Sequence, residues 1–245
     1  MSFLIFIRSL ISTALFVLNT IIWAYIGILL NILFNSRKTD NWIITTWGKQ
    51  SCWLFGVRIH LHGLEKMPKD KGAIILFNHS SYMDVFAIAG YLSGVRFGAK
   101  VELFNIPVFS QAMKRFGTLP IARRNREEVF KVYEEAKPRF ARGEKFALSP
   151  EGGRFFGEQL SKFKSGPFVF AITAGVPVVP IVIHNAYAAW PKEALLPNTK
   201  AWITHVDIHV LSPIETTAFT VDTRDGLMDQ VYTLMNSQWQ NKPKN

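Results

Sequence analysis

The sequence predicts an α/β fold, with a mixed, largely parallel sheet flanked by helices and an N-terminal helical appendage that is membrane-embedded or interfacial. Three observations carry this reading. Residues 3–34 are almost uninterruptedly apolar. From Val57 onward, short apolar or alternating runs exchange with stretches of helical period, the pattern of an α/β domain. Polar residues also collect at the ends of several apolar runs, where the ligands of open α/β sheets gather.

The first run is broken only by Arg8, a few small polar residues, Asn19 and Asn31, and it exceeds the roughly 20 residues that span a bilayer. It is far longer than the roughly 7–15-residue apolar core of a signal peptide, and no small-x-small site closes it, so a retained membrane segment is expected. Arg8 near one end and Arg37-Lys38 at the other favour a cytoplasmic position for the rest of the chain, at the inner or cytoplasmic membrane, without deciding whether the helix spans or lies tilted. Trp42, Ile43, Thr46, Trp47, Gln50, Trp53 and Leu54 then recur every three or four residues and predict a second, amphipathic helix. Its three tryptophans, read as one stripe, suit a membrane interface and equally suit packing on the domain behind it. The predicted division is 1–56 for membrane-anchoring helices and 57–245 for an α/β domain.

Within that domain, residues 57–62 alternate with period two and end at Gly63, as an edge or half-buried strand does. His60 and His62 share one face there; without a third ligand nearby in sequence they read as a polar strand face and not as a metal site. Residues 73–76 form a buried apolar run, followed by Phe77-Asn78-His79-Ser80-Ser81-Tyr82-Met83-Asp84 and a helical series through Val85, Phe86, Ile88, Ala89 and Leu92. Next come a strand at 95–100, a helix at 106–116, a strand at 118–122, and a helix that Asn125 caps with Glu128 three residues on. That helix is expected to reach about Phe140, with Pro138 disturbing its last turn. A strand at 146–148 runs into Ser149-Pro150-Glu151-Gly152-Gly153-Arg154. A helix at 164–174 closed by Gly175, a strand at 178–183 around Pro180, an alternating strand at 202–211 and a helix from Asp222-Thr223 to about Trp239 complete the chain.

Composition narrows the function classes. At 245 residues, with 49% hydrophobic and 19% charged residues, the chain can fill a sizeable core. Its single cysteine excludes an internal disulfide or a cysteine metal cluster, so nothing requires an oxidising compartment. The net charge of +10 implies an anionic partner. Aromatic residues cluster in the N-terminal apolar segments and do not interleave with Lys and Arg, which argues against nucleic acid and for membrane lipid.

The chemistry-bearing stretch is 78–84. His79 follows a strand at the mouth of a helix, and an imidazole titrating at about 6.5 can take a proton near neutral pH. Asp84, five residues on, can reach back and fix the tautomer. Ser81-x-x-Asp84 also reads as a capping box, in which Asp84 bonds backbone N–H groups of the helix start.

Three strand ends together carry the polar residues, and their order resembles the four motifs of the glycerolipid acyltransferase family. Asn78-His79-x-x-x-x-Asp84 matches the first motif. Gly117-Thr118-Leu119-Pro120-Ile121-Ala122-Arg123 resembles the second, with Pro120 where the family has Phe. Pro150-Glu151-Gly152-Gly153-Arg154 is similar to the third, with Gly153 in place of Thr, and Val176-Pro177-Val178-Val179-Pro180-Ile181 to the fourth, the least specific. The resemblance implies that His79 is the base and Asp84 its partner, that acyl-CoA or acyl carrier protein donates the acyl group, and that a lysophospholipid accepts it. It implies no cofactor and no metal. Arg123, with Arg154, would bind the acceptor phosphate; Asn78 would belong to the same substrate site; Glu151 would bind the acceptor hydroxyl or pin an arginine; and the N–H groups of Gly152 and Gly153 are candidate oxyanion donors. Lysophosphatidic acid is the leading acceptor, with glycerol-3-phosphate, another lysophospholipid or a lyso-aminolipid as alternatives. A membrane-bound thioesterase in which His79 activates water, and a noncatalytic membrane-binding protein, remain as other classes.

Overall fold

The structure, a computed structural model, describes residues 3–122 and 125–241. The apolar run forms one helix, α1 (Phe3–Phe34), and after Asn35 and Ser36 a second, α2 (Arg37–Leu54), folds back along it. Polar groups hold the hairpin: Asn31 Nδ2 donates to Asp40 Oδ1 at 3.0 Å, Trp47 Nε1 to Thr20 Oγ1 at 3.1 Å, and Trp23 Nε1 to Gln50 Oε1 at 2.7 Å.

Seven strands come after the hairpin: β1 (Val57–His62), β2 (Ala73–Phe77), β3 (Val95–Lys100), β4 (Leu119–Ile121), β5 (Lys145–Leu148), β6 (Val178–His184) and β7 (Thr204–Val210). They form one sheet in the order β1-β7-β6-β2-β5-β3-β4. The five strands from β6 to β4 are mutually parallel, β7 runs antiparallel to β6, and β1 lies parallel to β7 at the edge. β2, β5 and β6 are buried along their whole length, which explains why their sequences are continuous apolar runs and not alternating ones.

The remaining helices are α3 (Met83–Tyr91), α4 (Phe109–Arg115), α5 (Arg126–Phe140), α6 (Gly166–Ala174), the short α7 (Ala186–Ala189) and α8 (Arg224–Gln240). Alternate residues of the strands enter two cores. Ile75, Phe77, Val179 and Ile208 pack with Phe55, Phe86 and Ile88 on the α2–α3 side, whereas Ile74, Leu76, Phe146 and Val182 pack with Tyr133, Phe140, Phe170 and Trp239 under α5, α6 and α8. Each fully buried Phe or Ile contributes about 1.5–3 kcal/mol relative to exposure. Local signals agree with the result at α5, where the Glu128 N–H donates to Asn125 Oδ1 at 3.2 Å and Asn125 Nδ2 to Glu128 Oε1 at 2.7 Å.

Two expectations change. The helix predicted at 106–116 begins only at Phe109, after a 3-10 turn at Val101–Asn105, because the residue before Pro107 disfavours helical backbone. The three tryptophans of α2 do not share a face. Steps of five and six residues turn a helix far from a common side, so Trp47 points inward against Phe86 while Trp42 and Trp53 are exposed.

The helical hairpin is packed tightly on the α/β body, chiefly through α3. α2 crosses α3 backbone to backbone: a Cβ on Gly90 would lie 2.7 Å from the Lys49 nitrogen, and one on Gly48 would strike the Gly90 nitrogen. At the start of α1, Arg8 Nη1 donates to Ala201 O at 2.9 Å and Ser9 Oγ bonds Pro197 O; towards its end, Arg115 Nη1 donates to Asn31 Oδ1 at 3.3 Å.

Candidate active site

β2 ends beside β6, and Asn78 fastens the two. Its Nδ2 donates to Ile183 O at 3.0 Å and its Oδ1 accepts from the Ile183 N–H at 2.7 Å. The side chain is buried, so Asn78 acts as an extra rung of the sheet and does not face a substrate. This corrects its expected place in the substrate site: a primary amide next to a strand end matches an unpaired backbone N–H and C=O.

His79 leaves the strand at this point and turns back to α3. His79 Nδ1 lies 2.9 Å from Asp84 Oδ2, and the same oxygen accepts the Ser80 and Ser81 N–H groups, each at 2.8 Å. Asp84 is fully buried, and just before the helix Ser81 Oγ accepts the Met83 N–H at 3.1 Å. Both readings of Asp84 therefore hold, since one carboxylate oxygen organises the turn and holds the imidazole. A donor bond to Asp84 fixes the proton on Nδ1 and leaves Nε2 with its lone pair towards the cavity that the ring lines.

The turn after β5 supports His79 from the other side. Glu151, 3% exposed, accepts the His79 N–H at 2.9 Å through Oε1, and the Ser161 N–H and Oγ at 3.1 and 2.9 Å through Oε2. Burial raises this carboxyl above its ordinary range, against the bonds from His79 and Ser161 that favour the charge. Among the described residues Glu151 contacts no arginine, and it is buried; its bonds position the His79 main chain. Phe155 closes the same turn by donating its N–H to His79 O at 2.8 Å.

Gly152 sits at φ +73 with Lys164 packed where a Cβ would be, and its N–H bonds Ser149 O at 3.2 Å. The glycine is required by the turn, and its amide is already engaged, which removes it as the expected oxyanion donor. Gly153 lines the cavity. Arg154 lies over the Tyr82 ring at 3.7 Å and donates from Nη2 to Tyr82 Oη at 3.1 Å, while its buried Nη1 has no hydrogen bond among the described residues. Arg123 lies outside the described residues.

His79, Gly153 and Arg154 share a cavity of about 840 Å³. Much of its wall is apolar, with Trp23, Ile43, Phe109, Met113 and Phe130 from α1, α2, α4 and α5, and Arg96 and Lys100 of β3 line it too. Sequence reasoning missed Tyr82, Lys164 and Lys192, which also line it near Arg154. Tyr82 lay within the quoted 78–84 stretch, but the two lysines sit in loops with no period or motif to mark them.

The sequence and the fold have counterparts among known proteins. A model of the acyltransferase family matches residues 58–184, more than half of the chain, and the chain belongs to that family of enzymes. It is 27% identical over 191 residues to the 1-acyl-sn-glycerol-3-phosphate acyltransferase of Pseudomonas aeruginosa, covering 76% of this chain and 74% of that one. It is also 27% identical over 176 residues to the chloroplastic 1-acyl-sn-glycerol-3-phosphate acyltransferase BAT2 of Brassica napus, of which it spans 49%. The fold matches the crystal structure of PlsC, the 1-acyl-sn-glycerophosphate acyltransferase of Thermotoga maritima, with a TM-score of 0.82 at 24% identity over 98% of this chain and all of that one.

Proposed function

We propose that this acyltransferase moves a fatty acyl group from an acyl-CoA or acyl carrier protein thioester to the sn-2 hydroxyl of 1-acyl-glycerol-3-phosphate, giving phosphatidic acid. The single observation that carries the reading is the His79–Asp84 pair beside a cavity lined by cationic and by many apolar side chains, in a chain whose relatives bear that activity in their names.

The chemistry derives from the geometry. His79 Nε2 takes the acceptor hydroxyl proton as the oxygen attacks the thioester carbon, and Asp84 stabilises the imidazolium that forms. Collapse of the tetrahedral intermediate breaks the C–S bond, and the imidazolium returns its proton to the thiolate. A thioester is already activated, so no acyl-enzyme step is needed. Arg154, with Lys164 and Lys192 nearby and Arg123 as a further candidate, supplies positive charge for the acceptor phosphate, for which a guanidinium offers paired donors. The apolar part of the lining is suited to an acyl chain, and the cavity volume falls within the range of about 300–1,000 Å³ usual for ligand sites.

The same proposal places the enzyme in a membrane with the α/β body on the cytoplasmic side. α1 exposes Leu10, Ile11, Leu15, Leu18, Ile22 and Leu29 on the face turned away from the body. Its 32 residues extend about 48 Å, more than the roughly 30 Å of a hydrocarbon core, and both of its ends touch the body. A helix so held lies within one leaflet beside the sheet, and brings the cavity to the lipid surface.

The assay that tests the activity offers purified protein a labelled acyl thioester with lysophosphatidic acid, glycerol-3-phosphate, other lysophospholipids and a lyso-aminolipid. Phosphatidic acid as the dominant product is expected. Preference for an acceptor without phosphate, or thiol release at the full rate with no acceptor, would overturn the reading.

A further inference from the structure

The histidines of β1 and β7 build a second polar assembly, and none of them lines the His79 cavity. The two strands pair in parallel with His60 opposite Asp207 and His62 opposite His209. Period-two alternation puts these residues and His205 on one face, behind the buried Val206, Ile208 and Val210. A solvated strand face would keep such groups apart. Here His62, Asp207 and His209 each offer a ligand atom, and those atoms lie within 4.8 Å of one another.

The details suit a ligand set. His62 Nε2 is 2.8 Å from Asp207 Oδ1, and the His62 ring stacks on His209 with centroids 4.5 Å apart. His209 Nε2 is buried and makes no hydrogen bond among the described residues, an arrangement that costs free energy until a partner arrives. The His62 side chain is 49% exposed, so it is free to turn out of the stack and aim its nitrogen at a common point with His209.

We propose that His62, Asp207 and His209 form a binding site for a divalent transition-metal ion of the zinc class. Two imidazoles and a carboxylate are borderline donors that suit such an ion better than magnesium or calcium, which take all-oxygen sets. Three protein ligands leave a fourth tetrahedral position open to solvent on the exposed His62 side. The ion takes the place of the hydrogen bond between His62 Nε2 and Asp207 Oδ1. It clasps β1, the strand that leads out of α2, to β7, and so ties the helical hairpin to the sheet edge. The neighbouring pair, His60 and His205, is also stacked, at 5.0 Å with Nε2 and Nδ1 2.7 Å apart, and serves as an internal comparison because a metal held by His62, Asp207 and His209 does not need it.

The full chain, purified in detergent without a polyhistidine tag and stripped with EDTA, is titrated with Co²⁺, whose visible bands report coordination, and then with Zn²⁺ as competitor. Saturable uptake of about one ion per chain is expected, with a rise in melting temperature. His62→Ala, at an exposed position that leaves the core intact, is expected to weaken binding by at least about tenfold and to abolish the thermal shift. His60→Ala is expected to bind as the parent does. Absence of saturable binding, an unchanged affinity in His62→Ala, or loss of binding in His60→Ala would each overturn the assignment.

Discussion

The oxygen Asp84 Oδ2 receives three donors, the His79 ring and the Ser80 and Ser81 N–H groups, so one atom both organises the turn and is the proposed partner of the base. The sequence offered the two roles as alternatives because spacing alone cannot show how many donors converge on an oxygen. Glu151 illustrates the converse limit. Its motif was legible, yet its partners lie 72 and 10 residues away: the pairing of β2 with β5 brings the His79 main chain to it, and the loop after β5 folds Ser161 back onto it. A glutamine there keeps one acceptor for His79 but turns an N–H₂ towards the Ser161 N–H. Glu151→Gln is therefore expected to lower kcat by about 10²-fold through displacement of His79, with KM for the acceptor nearly unchanged. Steady-state kinetics with lysophosphatidic acid checks this. A selective rise in acceptor KM would return Glu151 to the substrate site.

At the scale of elements, strand and helix order was legible because the central strands are apolar throughout and the helices carry their caps. Interfaces were less so. The α2–α3 crossing depends on Gly48 and Gly90, forty-odd residues apart and in no shared motif, and its closeness arises only when the two backbones meet. By its own period, α2 resembles a surface helix with an aromatic stripe; in the fold Trp47 is an inward anchor against Phe86 and only Trp42 and Trp53 remain outside. Gly90→Val is expected to force the helices apart and to destabilise the protein by about 1–3 kcal/mol, as overpacking does. Chemical or thermal melting in detergent measures it. Stability equal to the parent would mean that the crossing tolerates a side chain and that the contact is not tight in solution.

For the whole molecule, the apolar run gives one helix long and apolar enough to cross a membrane, but its path did not follow from hydropathy. Arg8, which the sequence presents as a flanking charge, instead bonds Ala201 and lies over Trp202, so α1 is held along the α/β body. Deleting residues 1–34 is expected to shift the protein at least partly into the soluble fraction and to leave the apolar part of the cavity without its α1 wall at Trp23 and Ala24. Vesicle flotation measures the first effect, and undiminished, salt-resistant binding would place the anchor elsewhere. The proposed activity rests on an imidazole, held by a buried carboxylate, that deprotonates a lipid hydroxyl. Its most direct test is the acyl-transfer rate of His79→Ala with lysophosphatidic acid and a labelled acyl thioester, measured beside melting temperature and flotation. A general-base role for His79 predicts a fall of about 10²–10⁴-fold with folding and membrane binding retained; turnover within about tenfold of the parent would contradict it.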